Sequence, residues 1–200
     1  MPETAPNTDG ESGTLRALRP HWRAFVTVIG LTAGGSLFFY VFTTYMQKYL
    51  VNTAGMEAKT ANWVMTAVLI PFLLMQPLFG ALSDRWGRKT NIVASFALAT
   101  VAIVPLLTLL GGVQSAGAAF ALVLAALTIN SIYTSVSGVF KAELFPVHVR
   151  ALGVGLSYGI GNALFGGTAE YIALRFKQAG NEAGFYWYCL LYTSPSPRDS

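Results

Sequence analysis

Gly80-Ala81-Leu82-Ser83-Asp84-Arg85-Trp86-Gly87-Arg88-Lys89 stands between two long apolar runs of this 200-residue chain. Three cations and a carboxylate packed so closely are costly in hydrocarbon, so the stretch belongs in the aqueous interface. A connection this short joins two membrane helices only as a tight hairpin. Gly80 and Gly87 are expected to let backbones approach closely. Asp84 is expected to cap the following helix or pair with an arginine. An ordinary basic loop needs positive charge, but no fixed order of Gly, Asp and Arg.

The rest of the composition agrees. Apolar residues make up 54% of the chain and charged residues 11%, against about 25% charged in a soluble domain. Apolar stretches of roughly 20 residues, enough to cross a bilayer, recur. The expected spans are 24–46, 61–82, 91–110, 118–140 and 151–174. A sixth begins near Ala183 and stays incomplete. Arg16, Arg19, Arg23, Arg85, Arg88, Lys89, Lys141 and Arg150 fall on one side of this arrangement. Only Lys48, Lys59, Arg175 and Lys177 fall on the other. This bias predicts a cytoplasmic N-terminus and a cytoplasmic 80–89 loop. The net charge of +4 is then a membrane signature. Nucleic-acid binding would need the basic residues gathered on a soluble surface.

The chain ends read differently. Residues 1–13 are polar and have no basic, apolar or cleavage region of a signal peptide. They read as disordered, and residues 1–23 together as a cytoplasmic linker. Residues 24–188 read as the transmembrane unit. Cys189 to Asp199 is spelled letter for letter by a translated transposon sequencing adapter, so 189–200 are expected to be an artefact. The single cysteine goes with them and supports no disulfide.

The order G-x-L-S-D-R-x-G-R-K resembles the signature cytoplasmic loop of the major facilitator superfamily of secondary transporters. FFYVFTTYMQKYLVNTAG (38–55) resembles the seventh helix of its metabolite:proton symporters. KAELFPVHVRALGVGLSY (141–158) resembles the loop after their tenth helix and the start of the eleventh, and NALFGGTAEY (162–171) continues it. The likeness covers residues 15–188 and is strongest to the dicarboxylate carriers. It implies an all-α membrane protein: the C-terminal six-helix bundle, last helix truncated, of a twelve-helix transporter whose N-terminal half is missing. It also implies proton-coupled symport of a dicarboxylate such as α-ketoglutarate across the bacterial inner membrane. The implied partners are that carboxylate, protons, the lipid bilayer and the missing half. Carriers for shikimate, citrate, proline or betaine share much of the pattern. A channel or a non-transporting sensor of the same fold is the further alternative.

Polar residues at helical spacing mark faces that lipid would not tolerate. The first span carries Thr32, Ser36, Tyr40, Thr43, Thr44 and Gln47. The second carries Asn62, Thr66 and Gln76. The fourth carries Asn130, Tyr133, Thr134, Ser137 and Lys141. The fifth carries Tyr158, Asn162 and Glu170, aligned with Gly155, Gly159 and Gly166. Tyr40, Thr44, Gln76, Asn130, Tyr133, Ser137 and Asn162 are the candidates for a substrate cavity. Interhelical hydrogen bonding, at about 0.6–2 kcal/mol per contact, is the competing role. Gly155 and Gly159 form a G-x-x-x-G, expected to pack helices closely.

Glu170 is the one acid inside a span and a candidate proton-coupling group, with Arg175 as an alternative partner. Glu143 and Arg150 are expected to join Asp84, Arg85 and Arg88 in a charge network that biases a gate. Lys48 and Lys141 lie at span ends. The counter-charges of a dianion are therefore expected from the missing half. His21 and His148 have no acid or cysteine at ligand spacing, so neither a metal nor a cofactor is expected. No nucleophile–base, paired-acid or metal constellation lies inside the bilayer, so the chain does not read as an enzyme.

Overall fold

The computed structural model describes residues 15–193, and every regular element among them is helical. A short turn at Leu15–Leu18 leads into α1, Arg19–Asn52. Then follow α2 (Ala58–Trp86), α3 (Arg88–Gly111) and α4 (Ala116–Glu143). Helix α5 runs over 150–178, and α6 over Glu182–Thr193. The first four are long and apolar enough to cross a membrane. At about 1.5 Å per residue they reach roughly 36–51 Å, against about 30 Å of hydrocarbon. Helix α5 is as long but less apolar, because glycines and Asn162 dilute its middle.

The helices run past the expected spans at both ends. Arg19 to Arg23, read as linker, are already helical, and Met46 continues to Asn52. Hydropathy measures the thickness of the apolar slab, whereas a helix continues wherever its backbone bonds are made. Cys189, where the adapter-like stretch begins, is buried in the core cluster. Residues 1–14 and 194–200 lie outside the described residues.

Two π turns interrupt the long helices, at Val41–Tyr45 in α1 and Asn162–Gly166 in α5. The extra residue in each turn re-aims the side chains around it, and such turns recur at functional sites. The α5 turn packs on the regular part of α1 just before the other turn: a side chain at Gly166 would strike the Tyr40 ring at 2.6 Å. Helix α4 packs between α2 and α3, while α1 packs on α5 and α6. The main core gathers Leu37, Phe42, Met46, Val68, Ile103, Leu107 and Leu127. Leu73, Leu78 and Val101 are exposed on the outside, where lipid is as apolar as they are.

The close approaches fall at different glycines from those expected. Nothing lies within 4 Å of a side chain built at Gly80, Gly155 or Gly159. At Gly161 the new carbon would stand 3.0 Å from Thr32 and 3.3 Å from the Ile29 carbonyl. Gly155 and Gly159 lie on the exposed stripe of α5, and no helix among the described residues reaches them. Gly161→Val should therefore destabilise the folded protein by about 1–3 kcal/mol through overpacking. Gly155→Ala should be neutral or gain up to about 1 kcal/mol of helix propensity. Thermal unfolding of the two variants checks this contrast, and equal losses would contradict it.

The 80–89 stretch is a hairpin with one connecting residue. Helix α2 ends at Trp86, Gly87 takes φ 89°, and α3 begins at Arg88. That left-handed backbone explains the glycine. Asp84 sits in the last turn of α2 and does not cap α3, whose N-cap is Gly87.

Candidate functional site

A cavity of about 140 Å³ lies between α1, α4 and α5. Gly35, Ser36, Phe39 and Tyr40 line it from α1. Tyr133, Thr134, Ser137 and Lys141 come from α4, and Tyr158 and Asn162 from α5. Tyr40, Tyr133, Ser137 and Asn162 were expected there and are brought together. The volume is about ten times what one water molecule needs, enough for a small metabolite.

Asn162 ties the walls. Its Oδ1 accepts from Ser36 Oγ at 2.8 Å, and its Nδ2 donates to Tyr40 Oη at 3.3 Å. It opens the π turn of α5, which swings the amide toward α1. Tyr133 presents its ring, because its hydroxyl is committed to the Leu31 carbonyl at 2.9 Å. The ring sits where a side chain at Gly35 would be, so only glycine fits there.

Three expected residues lie elsewhere. Gln76 joins α2 to α4: Thr134 Oγ1 donates to its Oε1 at 3.0 Å, and its Nε2 donates to Ser131 Oγ at 3.3 Å. Asn130 is buried beside a second space of about 10 Å³, bounded by Gly34, Ser95 and Tyr133. That is about one water molecule in size. Thr44 is exposed in the α1 π turn and does not line the cavity, because the turn shifts it off the Ser36–Tyr40 face.

Lys141 is the residue that sequence reasoning placed wrongly. It was expected at a span end, but α4 continues to Glu143 and Lys141 is only 3% exposed. Helical side chains lean toward the N-terminus. The lysine therefore points back along α4 into the cavity and not outward to water. Its Nζ stands 5.3 Å from the Tyr133 ring centre and 4.8 Å from that of Tyr158. Among the described residues no carboxylate pairs with it. Two cation–π contacts return about 0.5–2 kcal/mol each, less than the several kcal/mol lost on burying a cation. The usable signal was the K-A-E order, which carries helix periodicity past Phe140.

The charged ends are simpler than the expected network. Arg88 pairs with Glu143, tying the start of α3 to the end of α4. Arg150 turns inward, its Nε donating to the Phe145 carbonyl at 3.3 Å, where the chain bends after α4. Neither Asp84 nor Arg85 joins an ion pair among the described residues; both are exposed. Glu170 pairs with Lys48 of α1, not with Arg175, and does not line the cavity. Positions five apart point to different faces of a helix, so Arg175 is poorly placed. His21 and His148 stand edge to face, 6.2 Å apart. No group of metal-binding side chains occurs among the described residues.

The polar cavity thus lies beside a π turn, inside a bundle of membrane-length helices. Residues 4–180 match the Major Facilitator Superfamily model, and the chain belongs to that family as a multi-pass membrane protein. It is 58% identical over 181 residues to the α-ketoglutarate permease of Escherichia coli K12, covering 90% of this chain and 42% of that protein. The proline/betaine transporter of Salmonella typhimurium is 30% identical, covering 86% and 34%. The citrate-proton symporter of Klebsiella pneumoniae is 28% identical, covering 85% and 39%. The chain thus spans about two fifths or less of these curated relatives. No solved structure matches the chain.

Proposed function

We propose that this chain is the C-terminal half of a proton-coupled symporter for a dicarboxylate, α-ketoglutarate, in the bacterial inner membrane. Its N-terminus and signature loop face the cytoplasm, and the absent half supplies the opposite wall of the cavity. One observation carries the reading: a buried ammonium, phenols, hydroxyls and an amide converge on a space of metabolite size. Such groups hold an oxyanion by charge-assisted hydrogen bonds and release it without covalent chemistry. The names of two relatives, an α-ketoglutarate permease and a citrate-proton symporter, support a carboxylate over a zwitterion. The Arg88–Glu143 pair is the latch we assign to the signature loop, closed in this state and open in another.

Uptake of labelled α-ketoglutarate by the complete carrier in proteoliposomes, against a panel of competitors, tests the substrate class. Dicarboxylates should compete, while proline and betaine should not. Strong competition by the zwitterions with none by dicarboxylates would move the assignment to the betaine branch.

Glu170 was the sequence candidate for proton coupling. Its position outside the cavity and its exposed pairing with Lys48 support a packing role, worth about 0–1 kcal/mol. Glu170→Gln should leave accumulation driven by a pH gradient nearly intact. Loss of accumulation with exchange preserved would return it to the coupling role.

A further inference from the structure

We propose that Lys141 is an anion-binding residue of the cavity and grips one carboxylate of the substrate, with Tyr133 and Tyr158 holding its ammonium in place. This rests on the reading of the cavity as a carboxylate site. Three observations point the same way. Lys141 is buried to 3% exposure although it stands only two residues from the end of α4, where its long stem has the reach to find water. Its ammonium lines the cavity, with two aromatic rings beneath it. Among the described residues it has no carboxylate partner. Aromatic faces position a cation without neutralising it, so the charge stays available to an anion.

The surrounding donors define what fits. Asn162 and Ser36 bond to one another on the α1–α5 side, while Lys141 stands on the α4 side with Ser137. A molecule with a carboxylate at one end and polar oxygens at the other spans these two groups. Lys141 would then set the preference for a second negative charge, while the hydroxyls and the amide recognise the rest.

Removing charge from both protein and ligand tests the assignment. Equilibrium binding to the purified complete carrier would be measured for α-ketoglutarate and for 2-oxopentanoate, which has a methyl group in place of the distal carboxylate. The unmodified carrier should prefer the dicarboxylate by roughly 10- to 100-fold, the range expected for hydrogen bonds to a charged group. In Lys141→Gln that preference should collapse to within about threefold, while Lys141→Arg should keep most of it. Thermal unfolding separates binding from folding, and Lys141→Met supplies a second neutral variant should glutamine misfold. A preference unchanged in both neutral variants would overturn the inference alone. So would a stability loss without change in the ratio, the result expected if Lys141 pairs with an acid of the absent half. A carrier that binds neither acid, before any substitution, would overturn the functional reading and this inference with it.

Discussion

Asn162→Leu in the complete carrier should cut transport by at least tenfold and lower stability as well. The amide accepts from Ser36 and donates to Tyr40 across the cavity. Leucine has the same branched heavy-atom skeleton but makes neither bond. The Ser36 hydroxyl, in a residue only 8% exposed, would then lack its side-chain partner. Each buried polar group left unsatisfied costs about 1–3 kcal/mol. The loss also falls at the first residue of the α5 π turn, whose irregular backbone has little support of its own. Affinity and turnover should fall together, because one side chain both lines the space and fixes the distance between α1 and α5. Transport kinetics and a melting curve on the same preparation check this. Normal kinetics with normal stability would show that the Asn162 ties are incidental.

The second large effect is expected at Tyr133, and the two obvious substitutions should differ. Tyr133→Phe keeps the ring under Lys141 and loses the hydroxyl's bond to the Leu31 carbonyl. It should cost about 0.5–1.5 kcal/mol of stability and leave apparent affinity nearly unchanged. Tyr133→Leu removes the ring that packs on Gly35 and Phe96 and supports the lysine. Losing an aromatic from a packed site costs about 3–5 kcal/mol when it is truncated fully to alanine, and leucine should recover part of that. Affinity for a dicarboxylate should fall by roughly tenfold as the ammonium loses its platform. A KM that rises as far in the phenylalanine variant would mean that the hydroxyl, not the ring, meets the substrate.

The bundle was legible because its signals are collective. Long apolar runs and a fixed order of Gly, Asp and Arg between two of them need no tertiary information. Gly87 was expected to serve close packing, but the one-residue hairpin uses it for its positive φ. Residues on the face between Ser36 and Tyr40 followed from helical spacing alone, as did Tyr133, Ser137 and Asn162 on theirs. Thr44 fell from the list because a π turn begins at Val41, and nothing in the local sequence forces it. Just before the turn Tyr40 packs on Gly166, a residue far away in the chain.

Partner choice was equally hidden. Glu170 meets Lys48, and Arg150 meets its own loop carbonyl, because neighbours in space are set by which helices pack together. Sequence distance favoured Arg175 and Asp84. Lys141 shows the sharpest limit. Hydropathy places a cation at the edge of the slab, but only the packed bundle shows that its stem turns inward over Tyr133 and Tyr158.

Accumulation of labelled α-ketoglutarate in proteoliposomes holding the complete carrier, under an imposed inward proton gradient, tests the central claim most directly. Internal substrate should rise above the external concentration and fall back when a protonophore dissipates the gradient. Equilibration that never exceeds the external concentration and ignores the protonophore would contradict proton-coupled symport and point to a channel of the same fold.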